Sequence, residues 1–296
     1  MKARFLIISF FLLGSLSSFA PSPEGVKTLA DFAKDEDDIF LDHIIVQSEL
    51  ERSFGKAIAD GAVSADDLRP KKVGLISTYL FEERFNFRKS HILYIYSKQG
   101  ELDYFYHQIA DPAVGGLKKA FADSNVELLM PEDYLKSQGD RRRYTELANE
   151  IQKLQVPFNA TVKKNGLKPA ANDFEFIYSM AMDGLSPKVA NELATFADKM
   201  KLDAVLTMEI ATEYRTSTIN LSSINLVLHG VNELERINEQ GVLYNTYSFF
   251  PDYYYPLVTI QGGKTFDEQY EGMDVILERI GEDYLKYVDE SIDELF

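Results

Sequence analysis

Six residues, "KVGLIS" (Lys72 to Ser77), leave this chain few folds to choose from. Apolar side chains stand at both odd and even positions, so a strand here has no face to offer water. It belongs inside a sheet with a layer on each side, and helices are the usual cover. The neighbouring sequence supplies them. In "DPAVGGLKKAFADS", Asp111 is placed to cap a helix and Pro112 to open it, with Val114, Leu117 and Phe121 on one face. Gly115 and Gly116 fall inside that helix, where close packing explains them better than a phosphate cradle. "NVELLM" (Asn125 to Met130) reads as a second buried strand, and Pro131 restarts a helix in "PEDYL". Tyr144, Leu147, Ile151 and Leu154 form one helical stripe. Val189, Leu193, Phe196 and Met200 form another, capped by Ser186 and opened by Pro187.

The pattern changes after Met200. "DAVLTMEIATEY", "STINLSSINLVLHGVNEL" and "GVLYNTYSFF" alternate as antiparallel strands do, and the Ser222–Ser223 doublet predicts a bulge. Phe266, Tyr270, Met273, Leu277, Ile280, Tyr284 and Tyr287 then follow a 4-3 spacing, which predicts a terminal helix packed on one face of the sheet. Upstream, Ile44, Leu50, Phe54 and Ile58 predict a long helix from Phe40 ending by Gly61, with "SADDLRPKK" as linker. The expected class is α/β (α+β): a mixed sheet of buried strands flanked by helices, long antiparallel strands in the C-terminal half and the terminal helix on the sheet. It occupies 71–296, after a leader at 1–20 and a helical segment with linker at 21–70. Residues 81–103 and 156–180 read as insertions.

Lys and Arg number 31 against 47 Asp and Glu, a formal charge of −16 that repels phosphate backbones and argues against nucleic acid as a partner. From Lys264 onward, eleven acidic residues stand against three basic ones, so the last segment is the most acidic. Lys2 and Arg4, the apolar run Phe5 to Leu13 and the small residues Ser18 and Ala20 have the layout of a secretory signal, although Pro21 follows awkwardly. That apolar run is far short of the roughly 20 residues that span a bilayer. With no cysteine in the chain, disulfides, thiolate metal sites and lipid attachment through Cys are excluded. A periplasmic or secreted protein is expected.

Candidate chemistry is sparse. Asp203 and Glu209 share a parity, but six strand residues separate them by roughly 20 Å, too far for a carboxylate couple. Asp203 is expected in a helix-to-strand turn and Glu209 on a face reaching solvent or a cation. His43, His91, His107 and His229 lack metal-ligand spacing, with His229 expected as a cross-strand partner. No nucleophile elbow, phosphate loop, zincin or dinucleotide motif occurs, so no catalytic, cofactor or metal residue is assigned. Two groups remain as a candidate contact surface. Arg141, Arg142 and Arg143 oppose a helix dipole and call for an anionic neighbour, the acidic terminal helix being one candidate. Phe249, Phe250, Tyr253, Tyr254 and Tyr255 crowd a proline-interrupted edge, where core packing competes with contact.

The element order, with "KKVGLIS", "GGLKKAFADS", "VELLMPEDYL", "NELATFADKMKL" and "DAVLTMEI", resembles the α/β domain of the curli-secretion channel (CsgG) family and the N-terminal domain of TolB over roughly residues 70 to 250. Leu202, Asp203, Ala204, Val205, Leu206 and Ile210 match a helix-to-strand pattern in which Asp opens the strand, while Met208 stands where Gly is frequent. The lipidation Cys and propeller repeats of those relatives are absent. The resemblance implies a domain used in envelope assembly, with envelope proteins as partners and a homo-oligomer as one form. The function expected is a non-enzymatic interaction module. A binder of small molecules or glycans through Tyr253 to Tyr255 is the alternative, and a hydrolase the third. The signal reading has a direct test: protein expressed in a bacterium should reach the periplasmic fraction without its first twenty or so residues, as mass spectrometry would show. Full-length chain retained in the cytoplasm would refute it.

Overall fold

A computed structural model of the protein describes residues 41–42, 58–82, 102–154, 174–177, 187–215, 218–230, 242–249, 255–261, 264–268 and 270–296. Its strands are β1 (Leu41–Asp42), β2 (Lys72–Glu82), β3 (Glu127–Leu129), β4 (Ala204–Arg215), β5 (Thr218–Gly230), β6 (Val242–Phe249), β7 (Tyr255–Gln261) and β8 (Lys264–Glu268). Its helices are α1 (Ala65–Leu68), α2 (Leu102–Asp123), α3 (Pro131–Tyr134), α4 (Gln138–Leu154), α5 (Pro187–Met200) and α6 (Met273–Asp293). The strands form one mixed sheet in the order β1-β6-β5-β4-β2-β3, with β7 and then β8 added beside the first half of β5. β2 pairs in parallel with β3 and β4, and the other pairs are antiparallel. The class is α/β, as the sequence implies.

Alternation along β4 sorts the two cores. Ala204, Leu206, Met208 and Ile210 join Ile224, Leu226 and Leu228 of β5 beneath α2 and α6. Val205, with Ile76 of β2, faces Tyr134, Tyr144, Leu147, Val189, Leu193 and Phe196 of α3, α4 and α5. The doublet does make a bulge: Ala211 pairs Ser223 and Thr212 pairs Leu221, leaving Ser222 extra. A second bulge at Ile76 has no sequence signal, because β2 is apolar on both parities. There Tyr134 donates to the Leu75 carbonyl at 3.1 Å and Tyr144 to the Ile76 carbonyl. Burial raises the pKa of both hydroxyls, so both stay protonated and able to donate.

Several expectations are corrected. Leu41–Asp42 is a strand on β6, not the start of a helix; residues 43–57 lie outside the described set, and Gly61 at φ +66° ends the segment as expected. α2 begins nine residues before Asp111 and carries Pro112 in its interior. Proline there breaks a backbone hydrogen bond, but Phe105, Tyr106 and Ile109 of the preceding turns are buried, and their packing holds the helix through it. β3 is a short, half-exposed edge strand instead of a buried one. Leu154 is exposed, past the end of the stripe that buries Tyr144, Leu147 and Ile151. Phe266 belongs to β8 of an unforeseen β7–β8 hairpin, so the terminal helix starts only at Met273. Its buried line runs on through Leu285, Val288 and Ile292 while Tyr287 is half-buried, the drift expected of a 3.6-residue turn against a 3.5-residue pattern.

The linker is tied down. Arg69, just after α1, contacts Asp66 and reaches Asp289 and Asp293 on the outer side of α6. α6 lies against α2, and among the described residues no helix is long and apolar enough to cross a membrane. The helices approach so closely that a Cβ on Gly116 would stand 1.8 Å from the Asp274 carbonyl oxygen, while one on Gly281 would stand 2.7 Å from the Ala120 Cβ. Gly115, one residue away, faces open space. Gly115→Ala should therefore raise stability by up to about 1 kcal/mol through helix propensity. Gly116→Ala should lower it by about 1–3 kcal/mol, because helix backbone has to shift. Thermal melts of the two variants check the contrast, and equal shifts would refute the close approach.

Candidate functional site

Asp203 is a structural acid. Lying between α5 and β4, it accepts hydrogen bonds at Oδ2 from the Lys71 and Lys72 amides, each 2.8 Å, and its own amide donates to the Lys72 carbonyl at 2.9 Å. The Glu127 amide donates to the neighbouring Lys71 carbonyl at 2.8 Å. One carboxylate thus fastens the entry of β4 to that of β2, and its turn position is as expected.

Glu209 is not on a solvent face. It is 6% exposed and accepts at Oε1 from Asn225 Nδ2 at 2.7 Å. Tyr79, Glu209 and Asn225 are direct partners across β2, β4 and β5, and their parity is that of Val205. Ser77, Thr207, Glu213, Asn220 and Ser223 fall on the same face and are also buried. The result is a buried polar row along the second halves of β2 and β4, beyond the apolar cluster under α4 and α5. It lies towards the carboxyl ends of two parallel strands whose outgoing connections part, the usual place for ligands in open α/β sheets.

Residues 174–177 close over part of this row. Ser77 Oγ donates to the Glu175 carbonyl at 3.0 Å and accepts from the Ile177 amide at 3.1 Å. Phe176 meets Tyr79 edge to face at 5.3 Å, and the Glu175 amide donates to Tyr144 Oη at 2.9 Å. These contacts make the row an internal polar layer. The sequence carries a trace of it in Thr207, Glu209 and Glu213, which share one parity of the strand, but apolar neighbours on both parities hide that this face is buried.

The arginines sit at the start of α4, where Ser137 and Asp140 form a capping box. The Ser137 hydroxyl, donating at 2.7 Å, and the Ser137 amide hold the Asp140 carboxyl below its usual pKa, with smaller help from Arg143. Arg143 pairs with Asp140 at 3.0 Å and Arg142 with Glu146 at 2.8 Å. The anionic neighbours are thus residues of the same helix, and α6 packs on the opposite face of the sheet. Arg141 is exposed and has no ion-pair partner among the described residues. Phe249 lies on β6 and Tyr255 on β7, whereas Phe250, Tyr253 and Tyr254 fall outside the described residues. At the junction of α2 and α6, Asp123, Glu278 and Glu282 bring carboxylate oxygens within 4.8 Å of one another, with the Lys119 ammonium on Glu278.

No family model matches the chain, and neither the curated proteins nor the solved structures contain a match.

His229 is fully buried on β5, opposite Val205 and Leu243, and among the described residues neither ring nitrogen has a hydrogen-bond partner. Burial holds its pKa down to about 3, against 6.5 for a free imidazole. Below 6.5 the unfolded chain binds a proton that the native state refuses until near 3, so stability declines as pH falls through that window. His229→Leu should remove this contribution and gain about 3 kcal/mol on the parent between pH 7 and pH 4, at about 1.4 kcal/mol per pH unit. Urea midpoints of both proteins at the two pH values measure it. A constant difference would show that the ring is not held neutral.

Proposed function

We propose that the protein is an exported, non-enzymatic interaction or assembly module of a bacterial cell envelope. The observation that carries this reading is the use made of the titratable groups among the described residues. Asp203 is consumed in joining two strands, Glu209 is bonded to Asn225 inside the sheet, and His229 lies in a fully buried cross-strand position. The exposed charge sits instead on outer helix faces, with the arginines at the start of α4 and the acidic side of α6. Charged surfaces of that kind steer association and select partners. The leader-like layout of the first twenty residues and the resemblance to the curli-secretion channel family and the TolB N-terminal domain support the same reading, with other envelope proteins as partners.

Chemical crosslinking in intact cells, followed by identification of the captured envelope protein, tests it. Reversal of Arg141, Arg142 and Arg143 to Glu should remove the crosslink while circular dichroism and melting stay near parental, since all three side chains are exposed. Glu209→Gln should leave the crosslink in place. Loss of cellular function in a well-folded Glu209→Gln variant, with the crosslink intact, would favour an enzyme instead.

A further inference from the structure

We propose that a cleft between α2 and the β3–α3 turn binds a small zwitterion with an apolar side chain, of amino-acid to dipeptide size. The cleft holds about 340 Å³, within the range of small-ligand sites. It opens where Met130 and Pro131 leave the carboxyl end of β3, the side of an open α/β sheet on which ligands gather.

One wall is a single stripe of α2: His107, Asp111, Val114 and Lys118 recur at i, i+4, i+7 and i+11, off the face that packs into the core. The start of α3 contributes Glu132, and Phe174 completes the lining. Buried Met130 and Pro131, with half-buried Val114 and Phe174, give the cleft an apolar floor continuous with the main core. That floor suits a hydrocarbon or aromatic side chain.

The charges on the rim divide unequally. His107 Nδ1 and Asp111 Oδ2 lie 3.0 Å apart and satisfy one another. Lys118 of α2 and Glu132 of α3 both line the cleft and are exposed, and among the described residues neither side chain has an ion-pair or hydrogen-bond partner. One ammonium and one carboxylate left over at the same opening match a ligand bearing a carboxylate and an ammonium of its own. A purely anionic ligand meets Glu132, and a purely cationic one meets Lys118. The proposal does not rest on the interaction reading above, because it concerns a different surface.

Isothermal calorimetry with L-phenylalanine and L-leucyl-L-phenylalanine, beside their N-acetylated and C-amidated forms, tests it. At least one free zwitterion should bind saturably, with capped forms at least about tenfold weaker, a difference of about 1.4 kcal/mol. Lys118→Gln should abolish the discrimination against the amide, and Glu132→Gln that against the acetylated form. Both variants should melt like the parent. Absence of saturation by about 10 mM, beyond the weakest affinity expected of a specific site, overturns the proposal. So does equal binding of capped forms, or sensitivity to only one of the two substitutions.

Discussion

The register of β4 against β2 is the constraint on which the remaining architecture depends, and Asp203 sets it at the point of entry. Side chains alternate along a strand, so a slip of one residue would exchange the two faces of β4. Leu206, Met208 and Ile210 would then face α4 and α5, and Thr207 and Glu209 would be pressed into the apolar core beneath α2 and α6. Burying an unpaired carboxylate among leucines is far worse than losing a few contacts. The carboxylate of Asp203, bonded to two successive amides of the neighbouring strand, makes the correct pairing the one with satisfied hydrogen bonds at its start. The polar row and the apolar core are two results of a single alignment.

Much of this was legible. The doubly apolar run at Lys72 to Ser77 required cover on both faces and received it, and Pro131 and Pro187 each opened a helix as their fixed φ favours. Ser222–Ser223 marked its bulge because two small polar residues interrupt an otherwise regular alternation. Failures came where tertiary packing outvoted a local signal. Pro112 looked like a beginning, but buried aromatic residues on the preceding turns continued the helix upstream of it. The Ile76 bulge left no trace, since a strand apolar on both parities hides a shift in phase.

The candidate sites were less legible for a different reason. Glu209 could be seen to share a parity with Asp203, but its partner Asn225 lies sixteen residues away on another strand. The cleft draws on α2, the β3–α3 turn and Phe174, three parts of the chain that no local pattern connects. Arg142 and Arg143, by contrast, found partners three or four residues away on their own helix, which spacing rules can foresee. Contacts within a helix or across a turn leave a pattern in the sequence, and contacts between distant strands and helices do not.

The same pairings carry a kinetic consequence. Lys71 and Asp203, which meet at the foot of the central parallel ladder, stand 132 positions apart, and Lys119 meets Glu278 across 159. Neither contact can form until most of the chain is present, and each closes a long loop before any packing compensates the lost entropy. Chains dominated by such distant pairings fold slowly. The main core is open until α6 covers α2, so an emerging chain lacks its native packing at least until Met273–Asp293 has been made. In the export proposed above, that delay would keep the chain in the unfolded form that a secretion pore accepts.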